Sequence, residues 1–328
     1  MVHVIAGGAG FIGINLASRL IKENDNKNIY IIDNFSNSSK KLFSNYIQNK
    51  NVYLIEGNID QKEELNKIFL DLHLPSKEIS LWHLAANSDI ESGTSDHNID
   101  FRDTFLTTFN LLEICKKFNI KSFFFASSSA IYGDHESNII KENTGPLMPK
   151  SNYGAMKLAS EAMCFSCYES FLEKLRIYRF PNVVGTPATH GVIKDFFIKL
   201  LKNEKKLIVL GDGNQEKSYL HVSDLVDAMV FLSKVKLTAK DNPIFNLGPN
   251  NDSVRVKWIA EEVVKYHQRK VEILYGEENY GWIGDIPKFF YDTTKATKYG
   301  WSPKLNSKES IKKAIFEIGS TYKNNFRK

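Results

Sequence analysis

The chain has 328 residues, 42% hydrophobic, 25% charged and 12% aromatic. That is an ordinary globular composition, long enough for one large domain or two unequal ones, and it excludes a disordered chain or a disulfide-stapled miniature. Its 43 Lys and Arg against 38 Asp and Glu give +5, scattered rather than gathered into a stripe, so no nucleic-acid partner is expected.

Short runs rich in β-branched and aromatic residues alternate with helical patterns through the first half. The predicted strands are Val2 to Ile5, Ile29 to Ile32, Val52 to Ile55, Ile79 to Leu84, Ser122 to Ser127 and Leu175 to Phe180. Between them the spacing predicts helices at Phe11 to Lys22, Lys62 to Leu72, His97 to Phe118 and Asn152 to Leu172. Such alternation builds βαβ units and a parallel sheet covered on both faces, with ligands at the carboxyl ends of the strands. After Arg179 the rhythm changes: Pro181, Gly185, Pro187, Gly191, Gly211 and Gly213 crowd a stretch of irregular pattern. There follow a helix from Ser223 to Lys234, a strand near Phe245 to Leu247, a helix from Val256 to His267, a strand at Val271 to Tyr275, the glycine-rich piece Gly276 to Gly284 and a tail helix from Ser307 to Tyr322. No internal repeat or low-complexity linker separates the parts. No apolar stretch reaches the roughly 18 to 20 residues of a membrane span, and Met1-Val2-His3-Val4-Ile5 does not open a signal peptide. A cytoplasmic protein with no membrane partner is the expectation.

Gly7-Gly8-Ala9-Gly10-Phe11-Ile12-Gly13 follows the first strand and opens the first helix. Gly7, Gly10 and Gly13 have the spacing in which one glycine makes a tight turn, one admits a pyrophosphate to the backbone and one allows close helix packing. Asp33 stands at the end of the second strand, where a carboxylate accepts from the adenosine ribose hydroxyls and repels a 2′-phosphate. NAD is therefore the expected cofactor. Asp60, after the third strand, is placed either to meet the adenine edge or to cap the helix that follows.

Tyr153 and Lys157 stand four residues apart near the start of a helix, so both project from one face. A nearby ammonium favours the phenolate and is expected to lower the tyrosine pKa from its ordinary value near 10. Ser127-Ser128-Ser129-Ala130-Ile131-Tyr132-Gly133 ends the fifth strand, at the rim expected to hold the cofactor. A serine hydroxyl there can hold a substrate hydroxyl while the tyrosine takes its proton and a nicotinamide takes the hydride. The three cysteines cannot close a disulfide framework. Cys164-x-x-Cys167 lies inside a predicted helix, away from the N-terminal position of a redox motif, and no second pair completes a zinc site; no metal is expected.

With these stretches, and with His83-Leu84-Ala85-Ala86, Arg179-Phe180-Pro181-Asn182, Gly211-Asp212-Gly213-Asn214-Gln215, Tyr219-Leu220-His221-Val222 and Gly284-Asp285, the chain resembles the extended short-chain dehydrogenases/reductases of the nucleotide-sugar epimerase and dehydratase family nearly end to end. The resemblance implies a Rossmann-type doubly wound α/β sheet with a smaller C-terminal α/β substrate-binding lobe. The NAD-binding domain would comprise residues 1–180 and roughly 220–250, the lobe roughly 181–219 and 251–328. It also implies Ser128 as the catalytic serine, Tyr153 as the base and Lys157 as the residue that binds the nicotinamide ribose and keeps the phenolate charged. The implied cofactor cleft is lined by Gly7, Gly10, Phe11, Ile12, Gly13, Asp33, Asn34, Ile59, Asp60, Leu84, Ala85, Ala86, Ser127 and Pro181 in addition to Tyr153 and Lys157. A nucleotide-diphospho sugar would meet Ser88, Ser128, Ser129, Asn182, Gly191, Val192, Val209, Lys217, Trp282 and Asp285. His83 belongs to the cofactor strand as a structural histidine rather than a base. Relatives commonly dimerise through the helix carrying the Tyr and Lys together with the helix from His97 to Phe118, which would make Phe165, Tyr168 and Phe171 a seam; burial in the core of one subunit would explain these aromatics equally well.

Three departures narrow the activity. Dehydratase relatives carry Asp-Glu after the catalytic hydroxyl residue, and this chain has Ser129-Ala130. Where relatives place arginine against the diphosphate, it has Lys217 at one position, which lacks the bidentate fork, and Trp282 at the other. Ala6 and Thr104 replace a threonine and an asparagine, changes expected to lie behind the site. The expected activity is NAD-dependent oxidation of the C4 hydroxyl of a nucleotide-diphospho sugar, as a 4-epimerase in glycan precursor synthesis. A net 4-dehydrogenase shares the same three residues and is the alternative; a 4,6-dehydratase and a non-catalytic NAD-binding protein follow behind.

Overall fold

The computed structural model describes residues 2–23, 27–74, 78–135, 139–238, 241–278, 286, 288 and 290–326. The chain divides into two compact units: Met1–Gly133, Pro146–Arg179 and Met229–Phe245 form the first; Asp134–Gly145, Phe180–Ala228 and Asn246–Lys328 form the second.

The first unit runs β1 (Val2–Ala6), α1 (Phe11–Glu23), β2 (Ile29–Asp33), α2 (Lys40–Tyr46), β3 (Val52–Glu56), α3 (Lys62–Leu72), β4 (Ile79–His83), α4 (Ile90–Ser95), α5 (His97–Asp100), a π-helical turn at Phe101–Leu106, α6 (Thr107–Lys117) and β5 (Ser122–Ala126). The single helix expected from His97 to Phe118 is thus three pieces, interrupted by the wider π turn. At the interruption the Thr104 carbonyl accepts from the hydroxyls of both Thr107 and Thr108, a local alternative to a regular ladder that the hydrophobic period does not reveal. After the short strand β6 (Ile139–Ile140), which belongs to the second unit, the first unit resumes with α7 (Asn152–Ser170) and β7 (Lys174–Arg179).

Seven strands form one sheet in the order β12-β7-β5-β4-β1-β2-β3, where β12 is Ile244–Asn246. The pairs β1–β2, β2–β3, β1–β4, β4–β5 and β5–β7 are all parallel. This is the expected doubly wound α/β sheet. β4 is buried at every position because helices cover both faces, whereas the edge strand β3 has no buried residue. The strand order reverses at β1, which places the crevice of such a sheet beyond the carboxyl ends of β1 and β4. Leu81, Phe123, Phe125, Leu111, Cys115, Cys164, Leu175 and Ile177 belong to the core of this unit, and Phe165, Tyr168 and Phe171 pack half-buried against it.

The second unit holds β8 (Asn182–Val184), α8 (Val192–Lys202), β9 (Lys206–Val209), β10 (Glu216–Lys217), β11 (Tyr219–His221), the start of α9 (Val222–Lys234), β13 (Val254–Arg255), α10 (Val256–His267), β14 (Glu272–Tyr275), β15 (Phe290–Tyr291), α11 (Thr294–Lys298) and α12 (Ser307–Phe326). Its strands pair two by two: β8 with β11, β9 with β14 and β6 with β15 in parallel, β10 with β13 antiparallel. The stretch expected to be irregular contains α8, which buries Ile193, Phe196, Phe197 and Leu200 at helical spacing. The prolines and glycines around it had masked that stripe. α8, α10 and α12 bury their apolar faces on one core with Leu207 and Val209. No helix among the described residues is long and apolar enough to cross a membrane.

Candidate active site

Gly7 sits at φ +76°, where an L side chain is strained, and a Cβ there would lie 2.5 Å from the Ala85 nitrogen. The loop after β1 therefore rests directly on the loop after β4. Ala6 O reinforces this by accepting from both Leu84 N and Ala85 N, at 2.9 and 3.0 Å. A Cβ on Gly13 would lie 2.4 Å from Gly8 Cα, so α1 packs against its own entry turn. Gly10 is different: a Cβ there would meet nothing nearer than Gly7 O at 3.5 Å, which leaves open space above the first turn of α1. The N–H groups of a helix start point into such a space and suit an anion.

Asp33 is buried at the end of β2, with Oδ2 accepting from Ala9 N at 2.9 Å and Oδ1 from Phe35 N at 2.8 Å. Burial raises its pKa, and these backbone donors oppose the rise by favouring the charged form. A carboxylate has acceptor capacity beyond such donors, which a ribose hydroxyl can use. Asn34 Nδ2 donates to Asn58 Oδ1 at 3.3 Å, and Asn110 Nδ2 donates to the carbonyls of Ile59 and Asp60, which steadies the loop after β3. Asp60 does not cap α3: the cap position is Gln61, whose side-chain amide donates to the Asp60 carboxylate. The open space over Gly10, the N-terminus of α1 and the Asp33 carboxylate fit a dinucleotide.

Past β5, Ser128 turns into a short 3₁₀ helix at Ser129–Ile131, and its hydroxyl accepts from Ala130 N at 3.2 Å. Ser128 stands close enough to Tyr153 for its side chain to favour the phenolate. The Lys157 ammonium lies 5.8 Å from the centre of the Tyr153 ring and donates to Ala126 O at 2.7 Å, the last residue of β5. The structure thus brings Ser128, Tyr153 and Lys157 together at the carboxyl end of β5. It reverses the expected electrostatics. Burial pushes the Tyr153 hydroxyl up to about 12, with the Ser128 side chain opposing and the Asp100 charge adding, and burial brings the Lys157 ammonium down to about 7. Desolvation is the largest cause at both groups and disfavours each charged form.

Three residues that the sequence reading did not single out support this group. Glu161, one further turn along α7 from Lys157, receives the Ser127 hydroxyl at 2.5 Å and the Arg179 guanidinium through Nε and Nη2, and Arg179 Nη1 donates to Tyr132 Oη at 2.8 Å. The i, i+4, i+8 spacing of Tyr153, Lys157 and Glu161 was the available signal. Asp100 and Asn87 had none. Thr104, buried, accepts from Asn87 N through its hydroxyl at 3.1 Å, so it does lie behind the site. His83 is fully buried, with Nε2 2.8 Å from the Thr108 hydroxyl; burial holds its pKa well below the usual value, so the ring is neutral.

Elsewhere in the first unit, Phe11, Ile12, Leu84, Ala85 and Ala86 are half-buried and Ser88 is exposed. Pro181, Asn182, Gly191, Val192, Val209 and Lys217 belong to the second unit. Asn182 and Gly191 are exposed, Val192 and Lys217 half-buried, and Pro181 buried. Val209 was expected to meet substrate, but its side chain is 1% exposed in the core of that unit; the alternation of β9 leaves Ile208 and Leu210 outward instead. Trp282 and Asp285 lie outside the described residues. Cys115 and Cys164 are buried and Cys167 half-buried, and burial raises all three thiol pKa values, which opposes thiolate chemistry.

Residues 3–248 match the NAD dependent epimerase/dehydratase family. A putative UDP-glucose 4-epimerase of Methanocaldococcus jannaschii is 27% identical over 317 residues, covering 95% of this chain and 96% of that protein. An uncharacterised UDP-glucose epimerase of Bacillus subtilis is 32% identical over 69% of this chain and 70% of its own length. Among solved structures, a UDP-galactose 4-epimerase superposes with a TM-score of 0.84 at 32% identity over 98% of this chain and 99% of that one. The Thermotoga maritima UDP-glucose 4-epimerase with UDP-glucose gives 0.83 at 27% identity, over 98% of this chain and 100% of its own. The chain belongs to the NAD-dependent epimerase/dehydratase family of extended short-chain dehydrogenases/reductases and is an NAD-dependent enzyme of that family.

Proposed function

We propose that the chain is a 4-epimerase of a nucleotide-diphospho sugar. The observation that carries this reading is the grouping of Ser128, Tyr153 and Lys157 at the carboxyl end of β5, followed by Ser129 and Ala130, where neither position offers a carboxylate for loss of water. The names of the relatives support it: several are UDP-sugar 4-epimerases, one solved with UDP-glucose and another, from Thermus thermophilus, with NAD. Relatives named dTDP-D-glucose 4,6-dehydratase also match, the Dictyostelium discoideum protein at 30% identity over 75% of this chain. The Ser129-Ala130 sequence weighs against that chemistry.

In this reading Ser128 holds the ring hydroxyl and Tyr153 moves a proton between that hydroxyl and its own oxygen. Burial keeps Tyr153 protonated, the form that returns a proton to the keto oxygen; below about pH 7, where Lys157 carries its proton, the ammonium favours the phenolate needed for the first step. NAD, when bound, supplies the hydride acceptor and donor. Asp33 would hold the adenosine ribose, the turn at Gly10 the pyrophosphate and Lys157 the nicotinamide ribose. Pairing of two copies through α7 and the α5–α6 segment is part of the proposal, tested by light scattering; a monomer would refute it.

The test is a panel of UDP, dTDP, GDP and CDP sugars incubated with the purified protein, with products identified by NMR. The expected outcome is a C4 epimer without lasting NADH absorbance. Accumulated NADH with a released keto sugar would make the protein a 4-dehydrogenase, a deoxy keto sugar would make it a dehydratase, and no product from any sugar would overturn the assignment.

A further inference from the structure

Asp100 is a buried carboxylate that the proposed chemistry leaves unused. It ends α5, at the threshold of the π turn. Its oxygens take one amide each: Oδ1 accepts from Asn87 Nδ2 at 2.9 Å, in the loop after β4, and Oδ2 from Asn152 Nδ2 at 3.3 Å, in the first residue of α7. Gly93 makes room for it, since a Cβ there would stand 2.0 Å from Oδ2. Asn87 is itself fixed, because its side chain donates to Asp89 O and accepts from Asp89 N. Among the described residues Asp100 enters no salt bridge.

The bracket reaches the chemistry through Asn152, which immediately precedes Tyr153. We propose that Asp100 is a positioning residue for the Tyr153–Lys157 pair: through Asn87 and Asn152 it ties the first turn of α7 to the loop after β4 and sets its negative charge beside the pair. What Tyr153 does in turnover rests on the epimerase reading; the bracket and its charge do not.

The groups around these positions set the sign of the effect. Asp103 and His97 face Asp100 from its own helical stretch. Tyr153 meets Ser128 and the Asp100 charge, and Lys157 meets Cys164 and Glu161 on α7, Asp100 from α5 and His83 from β4. Burial raises the pKa of Asp100 and the two amide hydrogen bonds oppose the rise, so the carboxylate is charged where Tyr153 titrates. A negative charge disfavours the phenolate and favours the ammonium, and both effects weaken when it is neutralised.

The experiment uses full-length protein labelled with tyrosine ¹³Cζ, the Tyr153 resonance being identified by its loss in Tyr153→Phe. In Asp100→Asn, which keeps the shape and removes the charge, the Tyr153 titration midpoint should fall by roughly half a pH unit or more. The rising limb of the kcat profile should move the same way. In Asn152→Ala, which keeps the charge and cuts the tie, kcat should fall several-fold without a downward shift of the midpoint. In the unsubstituted chain the Tyr153 resonance should show a second step at acid pH, above the ordinary aspartate range, as Asp100 protonates. That measurement decides the matter even where Asp100→Asn does not fold. An unmoved midpoint in Asp100→Asn, or no acid step in the parent chain, would overturn the proposal. Failure to epimerise any sugar, with the resonance behaving as expected, would sink the function reading and leave this inference standing.

Discussion

Glu161 and Arg179 form a bidentate ion pair in which both side chains are almost wholly buried, Nε to Oε1 at 2.9 Å and Nη2 to Oε2 at 2.6 Å. The pair joins α7 to the carboxyl end of β7, and the Ser127 hydroxyl adds the end of β5 to the same carboxylate. Removing one partner strands the other charge in a dry interior. Glu161→Gln or Arg179→Met should each cost about 3–5 kcal/mol in chemical denaturation, and the double replacement Glu161→Met with Arg179→Met should cost less than the sum of the two singles. Strict additivity would show that the pair is not coupled.

Lys157 carries a pH signature of its own. Its ammonium is brought from 10.5 down to about 7, so between those values the unfolded chain binds the proton and the folded chain does not. Stability must then rise with pH across that window, by an amount on the order of a few kcal/mol, and be insensitive to this group below it. Tyr153 acts in the other direction at higher pH, because its hydroxyl is raised from 10.0 to about 12 and its stabilising protonation is lost above 10. Urea denaturation at a series of pH values should show the slope between pH 7 and 10 in the parent chain and lose this component in Lys157→Met. An identical slope in both would contradict the burial argument.

The two glycines of the first turn should separate folding from cofactor retention. A methyl group at Gly7 collides with the Ala85 backbone at a positive φ, so Gly7→Ala should destabilise the first unit by several kcal/mol. Gly10→Ala has room in the chain itself and should leave the melting temperature of the cofactor-free protein nearly unchanged while sharply lowering the NAD it retains. Differential scanning fluorimetry with and without NAD distinguishes the two. Equal losses of stability would place both glycines in the fold alone.

Tyr153→Phe deletes the hydroxyl beside Ser128 and leaves the ring against which the Lys157 ammonium lies. Turnover should drop by a factor of about 10²–10⁴ or more, with bound NAD retained on gel filtration. Unchanged turnover would remove Tyr153 from the proposed chemistry.

The local signals were legible because local geometry reads them directly. The alternation of apolar runs and helical stripes announced the parallel sheet, and the four-residue spacing of Tyr153 and Lys157 placed both on one helix face. Gly7 and Gly13 proved to be contact glycines, as their positions around a strand-to-helix turn implied. Where punctuation hid a stripe, as prolines and glycines did around α8, or where a wider turn broke a continuous pattern, as at Phe101–Leu106, the elements were missed or merged. Val209 looked available as part of a strand, but which face of β9 is covered depends on α8, α10 and α12, distant segments whose packing the strand itself does not encode.

By itself the sequence determined the fold class and picked out the glycine turn, the acidic residue at the end of β2 and, through the family resemblance, the serine, tyrosine and lysine as the candidate site. The turn, the acidic residue and the Tyr–Lys pair depend on spacing along the chain. Only the tertiary structure decided what surrounds them: that Glu161 meets Ser127 and Arg179, residues 34 and 18 positions away, because β5 and β7 are neighbours; that Asp100 brackets Asn87 and Asn152; and that Tyr153 and Lys157 both favour their neutral forms in the unliganded chain. The reason is desolvation, which is set by every segment that excludes water from a group and therefore exists only once the chain has folded.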